Sequence, residues 1–163
     1  MRFGKFVIPS SHIFYRSTMS ASFVNLRPIV PGHVLVIPER IVAKMEDLTE
    51  DEYIDLWKAV RITQWAVQRY FPDTTAFNVA VQDGRAAGQS VPHVHVHVLP
   101  RKDGDFDRND QVYDELEAWA PRDGMKTVQK LNVPDDQDRV DRTPQIMAEE
   151  AMFYRTILES KLS

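Results

Sequence analysis

A chain of 163 residues, 43 % hydrophobic and 27 % charged, suits one globular domain large enough to bury a core without staples. It has no cysteine, which excludes disulfides, thiolate metal sites and a cysteine nucleophile. The net charge of −4 offers no basic footprint for nucleic acid, and no apolar run matches a membrane span or a signal-peptide core, so the expected setting is the cytoplasm or nucleus.

In chain order, residues 3–8, 12–16 and 20–26 read as strands of a meander, separated by Pro9-Ser10-Ser11 and by residues 17–19. Pro31-Gly32 makes a turn, and residues 33–37 form a further strand stopped by Pro38. Residues 49–71 give the clearest helix. Thr49 and Glu52 make a capping box, and Tyr53, Leu56, Trp57, Val60, Val67, Tyr70 and Phe71 fall on one stripe. Residues 75–82 and 92–99 are two more strands, joined by nine residues that include Gly84 and Gly88. A second helix is expected over 109–119 and a third over 144–162. Between them, residues 122–142 are polar, carry Asp135-Asp136-Gln137-Asp138, and read as a mobile loop. The expected organisation is a domain over 1–120, a polar loop or linker over 121–143, and a C-terminal helix over 144–163 packed on the domain.

Three of the five histidines sit in His93-Val94-His95-Val96-His97-Val98. In a strand, alternate residues share a face, so three imidazoles project together while the valines project into the core. His33 begins another strand and can pack beside them. Three readings are open: a structural cluster, a zinc site, and nucleophilic catalysis by imidazole. Like-charge repulsion on protonation disfavours the first. The second lacks a cysteine or a nearby carboxylate to complete the ligand set. The third gains weight from the loop directly ahead, Gly88-Gln89-Ser90-Val91-Pro92. There a glycine, backbone N–H groups, an amide and a hydroxyl suit phosphate oxygens.

This loop and triad resemble the signature of the histidine-triad (HIT) superfamily. The downstream run Leu99-Pro100-Arg101-Lys102-Asp103-Gly104-Asp105-Phe106, with Arg108-Asn109-Asp110 and Tyr113, is similar to its fragile histidine triad branch. So are Arg2-Phe3-Gly4, Phe23-Val24-Asn25, Pro31-Gly32-His33-Val34-Leu35-Val36 and Gln82-Asp83-Gly84. The resemblance implies an α+β HIT-like fold: an antiparallel sheet of about five strands, one long helix and C-terminal helices, working as a homodimer. It implies hydrolysis of diadenosine triphosphate to AMP and ADP. By position, His95 matches the nucleophile, His97 the member near the scissile bridge, and His93 and His33 the supporting imidazoles. Asn25 matches a ribose contact. Gln82, Gly88, Gln89, Ser90 and Val91 match nucleotide and phosphate contacts, and His97 also touches substrate. Phe6 departs from the animal branch, which has a substrate-touching histidine there, and residues 122–142 follow the animal pattern only loosely.

The chemistry expected from this set is attack by neutral imidazole on an adenylyl phosphorus. About three-quarters of free imidazole is neutral at pH 7 and carries no charge for the phosphate oxygens to repel or neutralise. Phe3, Phe6, Ile8 and Phe23 are candidates for an apolar nucleobase slot. A divalent cation, Mg or Mn, is expected to arrive with the polyphosphate, with no metal held by the triad. The expected partner is a small nucleotide, and Val112, Leu116 and Trp119 are the expected dimer contact. Neighbouring activities stay open at this point: a nucleoside phosphoramidase, a dinucleotide phosphorylase, or a nucleotide-binding signalling module with slow turnover.

Overall fold

The computed structural model describes residues 1–119 and 141–162. The expected loop over 122–142 thus lies almost wholly outside the described residues. Asp141 and Arg142 are described, and both are tied down: Asp141 Oδ1 accepts from Arg27 Nε at 2.6 Å, and Arg142 Nη2 donates to the Asn25 carbonyl at 2.7 Å.

The first expected strand is a two-stranded hairpin, β1 (Arg2–Phe3) and β2 (Phe6–Val7), turning at Gly4. Gly4 has φ +55°, and a Cβ there would lie 2.6 Å from Val91 Cγ1, so the turn needs glycine. The main sheet comprises β3 (Ile13–Arg16), β4 (Ser20–Val24), β5 (Val34–Pro38), β6 (Ala76–Val81) and β7 (Val96–Arg101). All neighbours are antiparallel, in the order β3-β4-β5-β7-β6.

Among the described residues three α-helices complete the fold: α1 (Glu50–Tyr70), α2 (Gln111–Ala118) and α3 (Pro144–Leu162). The capping box of α1 forms as expected. Thr49 Oγ1 accepts from the Glu52 N–H at 3.3 Å, and Glu52 Oε2 accepts from the Thr49 N–H at 2.9 Å. Its buried stripe differs from the expected one. Leu56, Ala59, Val60, Thr63, Ala66 and Val67 face the sheet, whereas Tyr53 is exposed. Small residues let a helix lie close on a sheet, and a count of large apolar side chains overlooks Ala59, Thr63 and Ala66.

Opposite faces of the sheet carry separate cores. On one, Val24, Val34, Val36, Val94, Val96 and Val98 pack against α1 and against Met147, Ala151, Tyr154 and Leu158 of α3. On the other, Phe3, Ile13, Phe23, Leu35, Val91 and Trp119 cluster. Val112 and Leu116 of α2 pack with Leu99, Ile29 and Phe106 of the same chain. The expectation that Val112, Leu116 and Trp119 form a dimer contact is therefore corrected: all three are buried inside their own protomer. Among the described residues no helix is long and apolar enough to cross a membrane.

Candidate active site

β7 begins at Val96, four residues later than expected. Its ladder partner β5 reaches only as far as the Val36–Val96 pair. Ahead of it the His93 N–H turns back to the Val91 carbonyl at 2.8 Å, and the Val94 N–H reaches the Val42 carbonyl at 2.7 Å. The alternation of faces survives this change: the valines enter the helix-side core, and the histidines take the other face.

The structure brings His33, His93, His95 and His97 together, each no more than 1 % exposed. The partners of the rings fix their tautomers. His93 Nδ1 accepts from the Gly4 N–H at 3.1 Å, so its Nε2–H donates to the Pro38 carbonyl at 2.9 Å. Burial holds the His93 pKa below the ordinary histidine value, outweighing the Pro38 carbonyl that favours the charged form. Both its ring nitrogens are committed, so His93 serves the site through its backbone: its carbonyl accepts from His95 Nδ1 at 2.7 Å. That bond places the lone pair of neutral His95 on Nε2.

His33 works in the opposite sense. Its Nδ1 accepts from the Ile29 N–H at 3.1 Å, so neutral His33 carries its proton on Nε2. Nε2 lies 3.0 Å from His97 Nδ1 and donates to it, which leaves the His97 proton on Nε2. Two adjacent imidazoles, with ring centroids 5.0 Å apart, thus have opposite character: His95 Nε2 bears a lone pair and His97 Nε2 bears a proton. A three-histidine zinc site does not suit this arrangement, because His93 and His33 have spent both nitrogens on hydrogen bonds.

Asn25 adjoins this chain. Its Nδ2 lies 3.3 Å from His33 Nδ1 and its Oδ1 accepts from the Arg27 N–H at 3.1 Å. The other expected contacts divide. Gln82 Nε2 donates to the Leu116 carbonyl at 3.1 Å, anchoring α2. Gln89 spans the loop, donating to the Ala43 carbonyl at 2.7 Å and accepting from the Gly84 N–H at 3.2 Å. The Gly88 and Gln89 N–H groups, expected to face a phosphate, donate to the Arg85 and Gly84 carbonyls instead. They close the short turn that Gly88 ends at φ +87°. Ser90 Oγ is buried with no hydrogen-bond partner among the described residues, and Val91 packs beneath Gly4.

Sequence reasoning missed the role of Trp119. Its indole stands edge-on to His97 at 4.7 Å between centroids, 5.7 Å from His95 and 6.3 Å from His33, and its Nε1–H donates to the Arg27 carbonyl at 3.3 Å. The residue closes α2, and nothing in an eight-residue amphipathic pattern says where its far end returns. With Trp119 seated, the imidazoles are covered.

Beside the histidines opens a cavity of about 290 Å³. Phe3, Phe6, Ile8 and Phe23 line it, as expected for a nucleobase slot, with Leu35, Asn25 and Trp119. Phe3 reaches from the slot to His95, centroid to centroid 5.1 Å. The slot also has polar walls in His12, Arg27 and Arg142, which the sequence did not flag.

Residues 6–104 match the family model described as the HIT domain. The chain is 44 % identical to the asymmetrical bis(5'-nucleosyl)-tetraphosphatase of Schizosaccharomyces pombe, over 94 % of this chain and 91 % of that protein. It is also 44 % identical to the bifunctional bis(5'-adenosyl)-triphosphatase/adenylylsulfatase of Arabidopsis thaliana, over 96 % of this chain and 83 % of that protein. Among solved structures, the diadenosine triphosphate hydrolase of Plasmodium falciparum superposes with a TM-score of 0.76 at 28 % identity, covering 99 % of this chain and 86 % of that one.

Proposed function

The chain belongs to the histidine-triad (HIT) family, and from that premise we propose that it is a dinucleoside polyphosphate hydrolase cleaving diadenosine triphosphate to AMP and ADP through a nucleotidyl-His95 intermediate. One observation carries the assignment of the nucleophile: His95 Nδ1–H is spent on the His93 carbonyl, so the lone pair sits on Nε2 beside a proton-bearing His97 Nε2. His95 Nε2 attacks the adenylyl phosphorus, a phosphorus–nitrogen bond forms, and the phosphorus–oxygen bond to ADP breaks. His97 Nε2–H hydrogen-bonds to the leaving oxygen and stabilises the charge that develops there. Water then attacks the same phosphorus and releases AMP from His95.

The supporting groups follow from their places. His93 fixes His95 through its carbonyl, and His33 fixes the proton of His97. Asn25 holds the ribose end of the slot, and Ser90 Oγ, a buried hydroxyl with no hydrogen-bond partner among the described residues, takes a phosphoryl oxygen. Gln82, Gly88, Gln89 and Val91 shape the loop that carries Ser90. Mg or Mn enters as part of the polyphosphate substrate and offsets its charge. The working unit is a homodimer in the cytoplasm or nucleus, with residues 1–120 as the catalytic domain, 121–143 as a connector and the C-terminal helix completing the core.

Reaction in oxygen-18 water tests the pathway. The label enters AMP and not ADP, because ADP departs before water acts. An alkaline quench in early turnover yields one AMP mass on the peptide holding His95, since the phosphoramidate is stable there and labile in acid. A phosphorylase would require added phosphate and release ADP twice. Label in AMP with no adduct under alkaline quench would demote His95 to general base.

A further inference from the structure

The nucleoside slot has a measurable direction. Ile13, Phe23, Leu35 and His97 are register partners on β3, β4, β5 and β7 and form one row across the sheet. Three strand spacings separate the ends of that row, about 14 Å at roughly 4.8 Å each. Phe23 and Leu35 line the slot between them. His97 and the phosphate chemistry lie at one end. At the other lies His12, the residue before Ile13, 8 % exposed and lining the same slot with Arg142, Pro144 and Met147. A nucleotide whose phosphorus sits at His95 and whose ribose meets Asn25 points its base along the row toward His12.

What His12 offers that base is set by its surroundings. Burial is the main influence on its ring and favours the neutral form; the Pro144 carbonyl opposes this, and the Arg142 cation reinforces it. Arg142 itself is occupied, donating to the Asn25 carbonyl from Nε at 3.0 Å and Nη2 at 2.7 Å and pairing with Glu150. A neutral imidazole donates through one nitrogen and accepts through the other. The Pro144 carbonyl favours an N–H on its side of the ring, which leaves the lone pair as the group the slot can use. At position 6 a 6-aminopurine presents an N–H donor, whereas a 6-oxopurine presents an oxygen acceptor there and carries its N–H at the neighbouring N1.

Building on the hydrolase reading, we propose that His12 is a specificity-determining residue that selects 6-aminopurine over 6-oxopurine nucleosides by accepting from the exocyclic amino group at the far end of the slot. Apolar walls alone discriminate poorly between purines of the same shape. A polar group placed to pair with one and left unpaired by the other discriminates well.

The test compares diadenosine triphosphate, diinosine triphosphate and the purine-riboside analogue lacking the 6-substituent, on the wild-type protein and on His12→Val. Wild type should favour adenosine over inosine by ten- to a hundredfold in kcat/KM, mainly through KM, with the unsubstituted purine in between. His12→Val should bring all three within about threefold. A variant that is merely misfolded lowers all three rates together and keeps their ratio, and a thermal melt identifies it. The substrate series on wild type stands without the variant: equal rates for adenosine and inosine overturn the proposal, as does a folded His12→Val that keeps the wild-type ratio. If no dinucleotide is cleaved, the hydrolase reading fails, and base choice is read from calorimetric binding of AMP against IMP. There the same preference, lost in His12→Val, supports the selector, and equal affinities overturn it.

Discussion

His95 and His97 are the same residue type, two positions apart, with ring centroids 5.0 Å apart, yet hydrogen bonds to Nδ1 divide their work. A carbonyl accepts from His95 Nδ1, and the His33 N–H donates to His97 Nδ1. A nucleophile needs the lone pair and a leaving-group donor needs the proton, so neither ring substitutes for the other. His95→Ala therefore removes the covalent step for every substrate. His97→Ala costs only the hydrogen bond to the leaving oxygen, typically about 10²- to 10³-fold. The distinction appears with a nucleoside 5'-phosphate ester whose leaving group is a weaker base than ADP, such as 2,4-dinitrophenolate. His97→Ala should recover most of its rate on that substrate relative to diadenosine triphosphate, and His95→Ala should stay inactive on both. Equal loss on the two substrates for His97→Ala would show that the ring does something other than stabilise the charge on the leaving oxygen. That opposition of tautomers is beyond what a His-x-His-x-His spacing conveys. Spacing put the rings on one face, but the Ile29 N–H that sets His33, and through it His97, comes from a distant part of the chain, and the His93 carbonyl that sets His95 turns to it only in the folded backbone.

Elements with a strong local signal were legible. The 21-residue α1, with its Thr49–Glu52 box, and α3 from Pro144 lie where period and caps put them. Short β-segments were less so, because their limits depend on partners: β7 starts where β5 can pair, and residues 3–8 fold back at Gly4. The dimer contact was misplaced for the same reason, since α2 looks amphipathic whether its apolar face meets its own core or another chain. With Val112 and Leu116 spent internally, one candidate surface among the described residues is β6, the edge of the sheet beyond β7. Its residues are half-buried except Ala76 and Val79, which are exposed, Val79 at 36 %. An open edge strand with apolar side chains is a template for pairing, and antiparallel β6–β6 pairing about a two-fold axis would close it symmetrically. Sedimentation at micromolar concentration should give twice the 18.8 kDa chain mass, with Val79→Lys shifting the equilibrium toward monomer. A wild-type protein that sediments as one chain at those concentrations removes the dimer.

Across the whole molecule, acid loosens the fold in two separate windows. His12 and His93 are held below the ordinary histidine pKa mainly by burial. When the chain unfolds, both return to a value near 6.5. Below that value the unfolded chain binds protons that the folded one refuses, so their stabilising contribution is complete above about pH 6.5 and is lost as pH falls toward the folded pKa. The carboxylates behave alike but lower down. Hydrogen bonds from Arg40 hold Glu52 at about 2, and hydrogen bonds from Arg101 lower Asp105, so their contribution is present above the ordinary carboxylate range and lost only beneath it. Melting temperature without nucleotide should therefore fall by several degrees between about pH 7 and about pH 5, at roughly 2–4 °C per kcal/mol for a chain of this size, and fall again below about pH 4. The two windows separate by mutation. His12→Val removes one of the two buried imidazoles and should lessen the upper slope, leaving the His93 share and the lower slope. Arg40→Ala releases Glu52 and should lessen the lower slope alone, leaving the Asp105 share. Calorimetric scans across the range decide the matter: a melting temperature that stays level from about pH 7 to about pH 5 would mean that these imidazoles take up protons within the folded state as readily as outside it.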